Sequence, residues 1–262
     1  MATLESIIRF TGPLGHLTAY RRRDSDKIIF REKGGPASTE VKTAAHFINT
    51  RRNNAEFGAR AKMAGQIGRG LWNLKPVINY NVHAVLNAKL KKLQLAERAE
   101  WGQRNVMLSR NPQILEGFSL TRSRLLESLV SVHFVGSIDK EERSAELRIP
   151  ALIPKLNFHG FDPYPYFKIC AVLSPIADVV FNGEKYVVEG ISPRKNTAVY
   201  ETPWTPCSVG LPAQTINLKL PDEEGKIPSL MLAVGLMFGK INEQEIIQPV
   251  RYAGSGKVIA CV

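Results

Sequence analysis

Gly254-Ser255-Gly256-Lys257 is the run in this chain closest to a phosphate-binding loop, in which backbone amides cradle phosphates and the lysine reaches their oxygens. The loop needs a glycine five positions before its second one, where Arg251 stands, and Ser or Thr after the lysine, where Val258 stands. A bend within the final strand is the expectation. Ser255 does not sit in a nucleophile elbow, and Gly12-Pro13-Leu14-Gly15 lacks dinucleotide-binding spacing. His16, His46, His83, His133 and His159 show no metal-ligating spacing. The acidic runs Glu141-Glu142 and Asp222-Glu223-Glu224 fall in expected turns, where a solvated loop is the ordinary role. The expectation is a protein that is not an enzyme, with no cofactor and no metal; a pocket gathering His133, His159 and Asp162 would reverse it.

Basic residues offer different chemistry. Arg21, Arg22 and Arg23 stand together, as do Arg51 and Arg52 before Asn53-Asn54, and Arg60, Lys62 and Arg69 follow. Guanidinium forks match phosphate oxygens, so these eight are the candidate nucleic-acid or partner-binding residues. Tyr20, Phe30, Phe47 and Trp72 are interleaved and would stack on bases if exposed, although Phe47 and Trp72 fall at helical core positions. No named DNA-reading motif accompanies them, so such binding would be electrostatic and largely sequence-independent.

The elements that must carry these residues change character along the chain. Leu17–Tyr20 and Ile28–Arg31 are β-prone runs around an Asp-Ser-Asp turn, and Gly34-Gly35-Pro36 ends the unit. Residues 1–36 are therefore expected to form a basic β-hairpin arm. Residues 37–127 read as a helical basic region. One helix, capped by Ser38 with Glu40 in its first turn, runs to about Thr50 and breaks near Arg51–Asn54. A second carries Phe57, Ala61, Ala64, Gly68, Leu71 and Trp72 on one stripe, rich enough in Ala and Gly for close backbone approach, and stops at Lys75-Pro76. A third places Ile78, Val82, Val85, Leu86, Leu90 and Leu93 together.

From about residue 128 the period becomes alternating. Val130, Val132 and Phe134 open it, Thr215–Leu220 is its cleanest half-buried strand, and Asn182-Gly183 signals a hairpin. Further strands are expected at 145–149, 166–173, 177–181, 186–189, 198–202, 229–238 and 250–262. So many short strands predict an immunoglobulin-like β-sandwich over 128–262 and an α+β fold for the whole chain.

Charge follows the same division. The net charge of +11 is concentrated early: residues 1–130 hold 22 Lys and Arg against 10 Asp and Glu, and residues 131–262 hold 13 against 14. The asymmetry favours a polyanion or an acidic partner surface. The N-terminus lacks the pattern of a secretory signal, and the longest apolar run, Leu230–Phe238, is about half of what a membrane-spanning helix needs. Cys170, Cys207 and Cys261 are dispersed and odd in number. A soluble, cytoplasmic protein without membrane association is expected.

Three runs carry a resemblance: Gly12-x-x-Gly15-x-Leu17-Thr18-x-Tyr20, Arg31-x-Lys33-Gly34-Gly35-Pro36, and Thr50-Arg51-x-Asn53-Asn54-x-Glu56-Phe57-Gly58. Together they resemble the N-terminal signature of an uncharacterised Bacteroidetes protein family of unknown function. Arg251-Tyr252-Ala253-Gly254-x-Gly256-Lys257-Val258 is similar to the ending of the same group. The resemblance implies a bacterial origin and no activity. The functional expectation is a structural protein that assembles with copies of itself, as a shell, filament or phage-like particle component, through arm and β-domain contacts. The alternative is a nucleic-acid-binding protein using the basic N-terminal half.

Overall fold

A computed structural model describes residues 2–4, 10–21, 26–159, 163–222 and 225–262, and they divide into two compact units, Met1–Arg51 and Arg52–Val262. The expected boundaries stood at 36/37 and 127/128. The division between the two compact units falls inside the first turn of a long helix, and the helical segment beyond it shares its core with the strands.

The first unit contains β1 (Ala2–Leu4), β2 (Gly12–Leu14), β3 (Leu17–Arg21) and β4 (Ile28–Glu32), in the antiparallel order β1-β4-β3-β2. The expected hairpin is β3 with β4, in register Ala19 to Phe30. Ala19 and Ile28 are buried, and Phe10 meets Phe30 edge to face at 5.4 Å. Helix α1 (Ser38–Thr43) has Glu40 in its first turn, but Ala37 occupies the cap position and Ser38 is the first helical residue. α1 ends well short of Thr50. A 3-10 turn over Ala45–Phe47 separates it from α2 (Ile48–Gly70), which passes through Arg51–Asn54 without a break. Arg51 explains part of this: its guanidinium donates to the carbonyls of Val41 (3.0 Å) and Ala44 (2.8 Å), tying the start of α2 to the end of α1.

Of α2, Ala59, Met63, Ala64, Ile67 and Gly70 face inward. The expected stripe is thus displaced, with Phe57 57% exposed. Met63 and Ile67 carry far more apolar area than Ala61 and Gly68, and that area decides which face is buried. The helix stops at Gly70, before Lys75-Pro76. A 3-10 turn over Trp72–Val77 follows, and its three-residue period buries Leu71, Leu74 and Val77. Trp72 lies off that face and is 64% exposed, contrary to the expected core role. Helix α3 (Val82–Leu95) is capped by Asn81, whose side chain accepts from the Ala84 amide at 3.3 Å, and it buries Val82, Leu86 and Leu90 as its spacing predicts.

Val130–Phe134 is not a strand. It follows the single turn α4 (Leu126–Leu129), Val130 makes an isolated bridge to Phe158, and Leu126, Leu129, Val130 and Phe134 enter the core before the strands begin. The strands are β5 (Val135–Asp139), β6 (Ser144–Ile149), β7 (Tyr166–Ile176), β8 (Asp178–Phe181) and β9 (Tyr186–Glu189). After the turn α5 (Pro193–Asn196) come β10 (Ala198–Glu201), β11 (Thr205–Pro206), β12 (Gln214–Lys219), β13 (Ser229–Ile241) and β14 (Ile247–Cys261). Asn182-Gly183 does turn a hairpin, β8 with β9.

A large antiparallel sheet, β10-β7-β13-β14 with β11 beside β7, forms the middle of the second unit. Alternation along β13 decides its packing. Met231, Ala233 and Met237 join Cys170 and Val172 of β7 in one core with α2, the 3-10 turn and α3. Leu232, Val234, Leu236 and Phe238 join Phe167, Ile169 and Leu173 in a second core, under the sheet β12-β6-β5. Helices, large sheet and small sheet therefore form three layers. Close approach of the helical layer depends on glycine: a Cβ on Gly235 would lie 2.8 Å from Leu74, and one on Gly70 would overlap Ser174. Strand outweighs helix, 37% against 27%, so the expected mixed α and β class holds, with several antiparallel sheets and no closed barrel among the described residues.

Candidate functional site

Of the eight basic candidates, Arg21 and Arg51 belong to the first unit and Arg52, Arg60, Lys62 and Arg69 to the second. Arg21 pairs with Asp26, and Arg22 and Arg23 lie outside the described residues. Arg51 is occupied by the two carbonyls at the end of α1. Arg52 lies 5.8 Å over the Trp101 ring, and a Cβ on Gly102 would press on its stem at 2.8 Å. Arg60 is buried, with Nε donating to Asn87 Oδ1 at 3.1 Å and a second nitrogen donating to Gln94 Oε1. Burial lowers its pKa, against the opposing charge of Glu56. Lys62 donates to the Tyr186 carbonyl at 2.6 Å. Arg69 is exposed. Five of the candidates thus spend donors on their own fold or lie stacked on it.

Sequence reasoning missed the acid that organises this region. Glu56, inside α2, accepts from Arg104 Nε at 2.6 Å, from the other Arg104 nitrogen at 2.9 Å and from the Gly102 amide at 2.9 Å. The Tyr186 hydroxyl donates to the carbonyls of Gly102 and Arg104, and Gln94 also donates to the Arg104 carbonyl. Burial, then the charge of Glu56, pushes the Tyr186 phenol up to about 12. Forty-eight residues separate the ion pair, and no local pattern signals it. Its chemistry is to anchor a loop.

The helical layer of the second unit carries two adjoining grooves. A groove of about 800 Å³ is lined by Trp72, Lys75, Tyr80, His83, Arg251 and Tyr252, among others. Trp72 and Tyr252 are 64% and 65% exposed. Tyr252 is held outward by a left-handed backbone (φ 63°) where β14 slips register against β13. Lys75 stands 4.5 Å over Trp72 and Arg122 4.8 Å over Tyr80, whose hydroxyl donates to the Ser119 carbonyl at 2.7 Å. A second groove of about 650 Å³ continues along the α2–α3 seam from the shared residues Asn81 and His83 to Ala61, Ala64 and Phe57. At Gly68 the small-residue stripe admits a side chain rather than the backbone its composition predicts. The His83 ring occupies the space a side chain on Gly68 would need, and the remaining small residues leave the seam open.

Gly254–Lys257 lies within β14 and makes no phosphate loop. Ser255 is buried against the Thr121 hydroxyl at 2.8 Å, Lys257 pairs with Glu127, and a Cβ on Gly256 would lie 2.7 Å from the Val234 carbonyl oxygen. The three cysteines are free and buried, and burial pushes each thiol up to about 12. Asp162, the third member of the catalytic pocket that would have signalled an enzyme, lies outside the described residues. Among the described residues, no group of three or more His, Cys, Asp or Glu can hold a metal ion, and no helix is long and apolar enough to cross a membrane. No family model matches the chain, and no curated protein or solved structure matches it either.

Proposed function

We propose that this protein is a non-enzymatic structural component that assembles with copies of itself, using the aromatic groove on its helical layer. The observation that carries the proposal is the groove's pair of outward aromatic side chains, Trp72 and Tyr252, with Phe57 further along the seam. Large aromatic side chains beside an arginine are the composition of protein–protein hot spots, and their exposure costs free energy that association recovers. The two antiparallel sheets facing one another across a common core support the β-sandwich reading of 128–262, with the helical layer added to an immunoglobulin-like pair of sheets.

Nucleic-acid binding by the basic N-terminal half is the second reading. The groove's cations beside its rings favour it, since such pairs also suit bases and phosphates. Most of the basic candidates, however, are already engaged within the fold. Light scattering on the purified protein, with the absorbance ratio recorded at low and high salt, separates the two. A defined assembly free of nucleic acid that survives high salt supports self-association, because burial of apolar rings is not screened. A single chain that carries nucleic acid and sheds it at high salt overturns it.

A further inference from the structure

β13 runs beside β7 as far as Gly239, opposite Tyr166. From Lys240 onward it pairs with β14 alone among the described residues, through Lys240 to Gln248 and Ile241 to Ile247. The end of this hairpin is therefore a two-stranded ribbon, an arrangement that is marginal in water without a further partner. Its tip is nonetheless firmly shaped. The Asn242 side chain accepts from the amides of Gln244 (3.0 Å) and Ile246 (2.9 Å), and Glu245 takes a left-handed conformation at φ 61°. The side chains it offers are Ile241 and Ile246, 51% and 55% exposed, flanking the exposed acids Glu243 and Glu245. This is the complement of the groove, where apolar rings sit beside Lys75 and Arg251.

We propose that the tip of the β13–β14 hairpin, Ile241 to Ile246, docks in the Trp72–Tyr252 groove of a second copy of this chain, which rests on the self-assembly reading above. The tip cannot fill its own groove. Pro249, Arg251 and Tyr252 belong to the same ribbon, and the strand from Ile246 to Pro249 and on to Arg251 holds the tip about 10–16 Å from the side chains that line its own groove. One ribbon carries both the tip and part of the groove lining, so two copies related by a two-fold axis exchange tips and satisfy both surfaces at once. The groove has room for several side chains, and the two glutamates meet the two cations at its rim while the isoleucines meet the rings. The carboxylates orient the approach, and the apolar contacts supply the lifetime.

Charge exchange tests this in the intact chain. One variant reverses the tip, Glu243→Lys with Glu245→Lys; a second reverses the groove, Lys75→Glu with Arg251→Glu. Sedimentation velocity over a concentration series reads self-association, and circular dichroism confirms that each variant, altered only at exposed positions, is folded. Each variant alone is expected to associate about tenfold or more weakly than the unaltered protein, and an equal mixture is expected to regain association. If the unaltered protein associates and both variants match it, the docking is wrong while self-assembly stands. If both variants dissociate and their mixture stays dissociated, tip and groove do not meet each other. If the unaltered protein stays a single chain throughout, self-assembly itself falls, and the docking with it.

Discussion

Replacing Glu56 by alanine removes the one carboxylate that serves both the Arg104 guanidinium and the Gly102 amide. Breaking a buried ion pair from one side costs about 3–5 kcal/mol, because the surviving charge is left without its partner. The Glu56 side chain is 5% exposed and that of Arg104 17%, so the stranded guanidinium can turn partly to water, and the lower figure, about 3 kcal/mol, applies. For a unit of the size of Arg52–Val262, that amounts to a fall in Tm of roughly 6–12 °C. Glu56→Gln keeps an acceptor for the Gly102 amide but surrenders the charge, and roughly half the loss is expected. Arg104→Met on the Glu56→Ala background removes the unpaired charge and should recover part of the loss. Thermal melts followed by circular dichroism, with urea midpoints as a second measure, give the numbers. A Tm shift below about 2 °C for Glu56→Ala would refute the assignment of the pair as the anchor of this loop. So would an Arg104→Met substitution that costs the same with or without Glu56.

Gly254→Ala should destabilise by about 3 kcal/mol or more, because Gly254 has φ 108° and a Cβ there would overlap the Leu236 carbonyl; a urea titration reads it, and a neutral result would contradict the bulged register of β14. Trp72→Ala should change unfolding free energy by less than about 1 kcal/mol, since the ring is exposed, while weakening self-association about thirtyfold; loss of the fold instead would place Trp72 in the core. The three thiols should resist Ellman's reagent in the native protein at pH 8 and react together on denaturation. Their pKa values are raised from 9.0 to about 12, so the native state retains protons that the unfolded chain loses above pH 9. Stability is full below that pH and declines as pH rises from about 9 toward 12; a flat profile over that window would contradict their burial. Glu127 has the opposite sign. Burial alone would raise its carboxyl, but the hydrogen bond from Lys257, its own backbone and nearby positive charge together lower it. Lys257→Met should move the Glu127 titration upward by NMR, and an unchanged midpoint would remove the pair.

Strands were legible where a single face decides their burial. Thr215–Leu220 alternates because one face of β12 meets the core and the other meets water, and the β8–β9 turn was announced by Asn182-Gly183. β5 was missed because its residues show no strong apolar alternation, Val135 itself being exposed. The α2 stripe was displaced because periodicity counts apolar positions equally, whereas burial weighs area, and Met63 and Ile67 outweigh Ala61 and Gly68. A sequence shows a donor's charge and hides its acceptors; for Arg51 and Arg60 these are carbonyls and amide side chains brought from other turns and other helices. The groove escaped notice for a related reason. Trp72 and Tyr252 come together only through a 3-10 turn that shifts helical phase and a bulge that turns one tyrosine outward.

β7 and β13 each bury both faces, one against the helices and one against the small sheet. During synthesis β7 is made before the strand that will cover its edge, because β13 lies more than fifty residues further along the chain. At about 5–20 residues per second, β7 waits several seconds with apolar side chains on both faces and an unpaired edge. The helices made earlier can cover one of those faces and leave the other bare. The interval before β13 emerges is thus the period in which a nascent chain of this protein most needs a holding chaperone, and slowing translation between residues 177 and 228 should lower its soluble yield more than slowing it elsewhere.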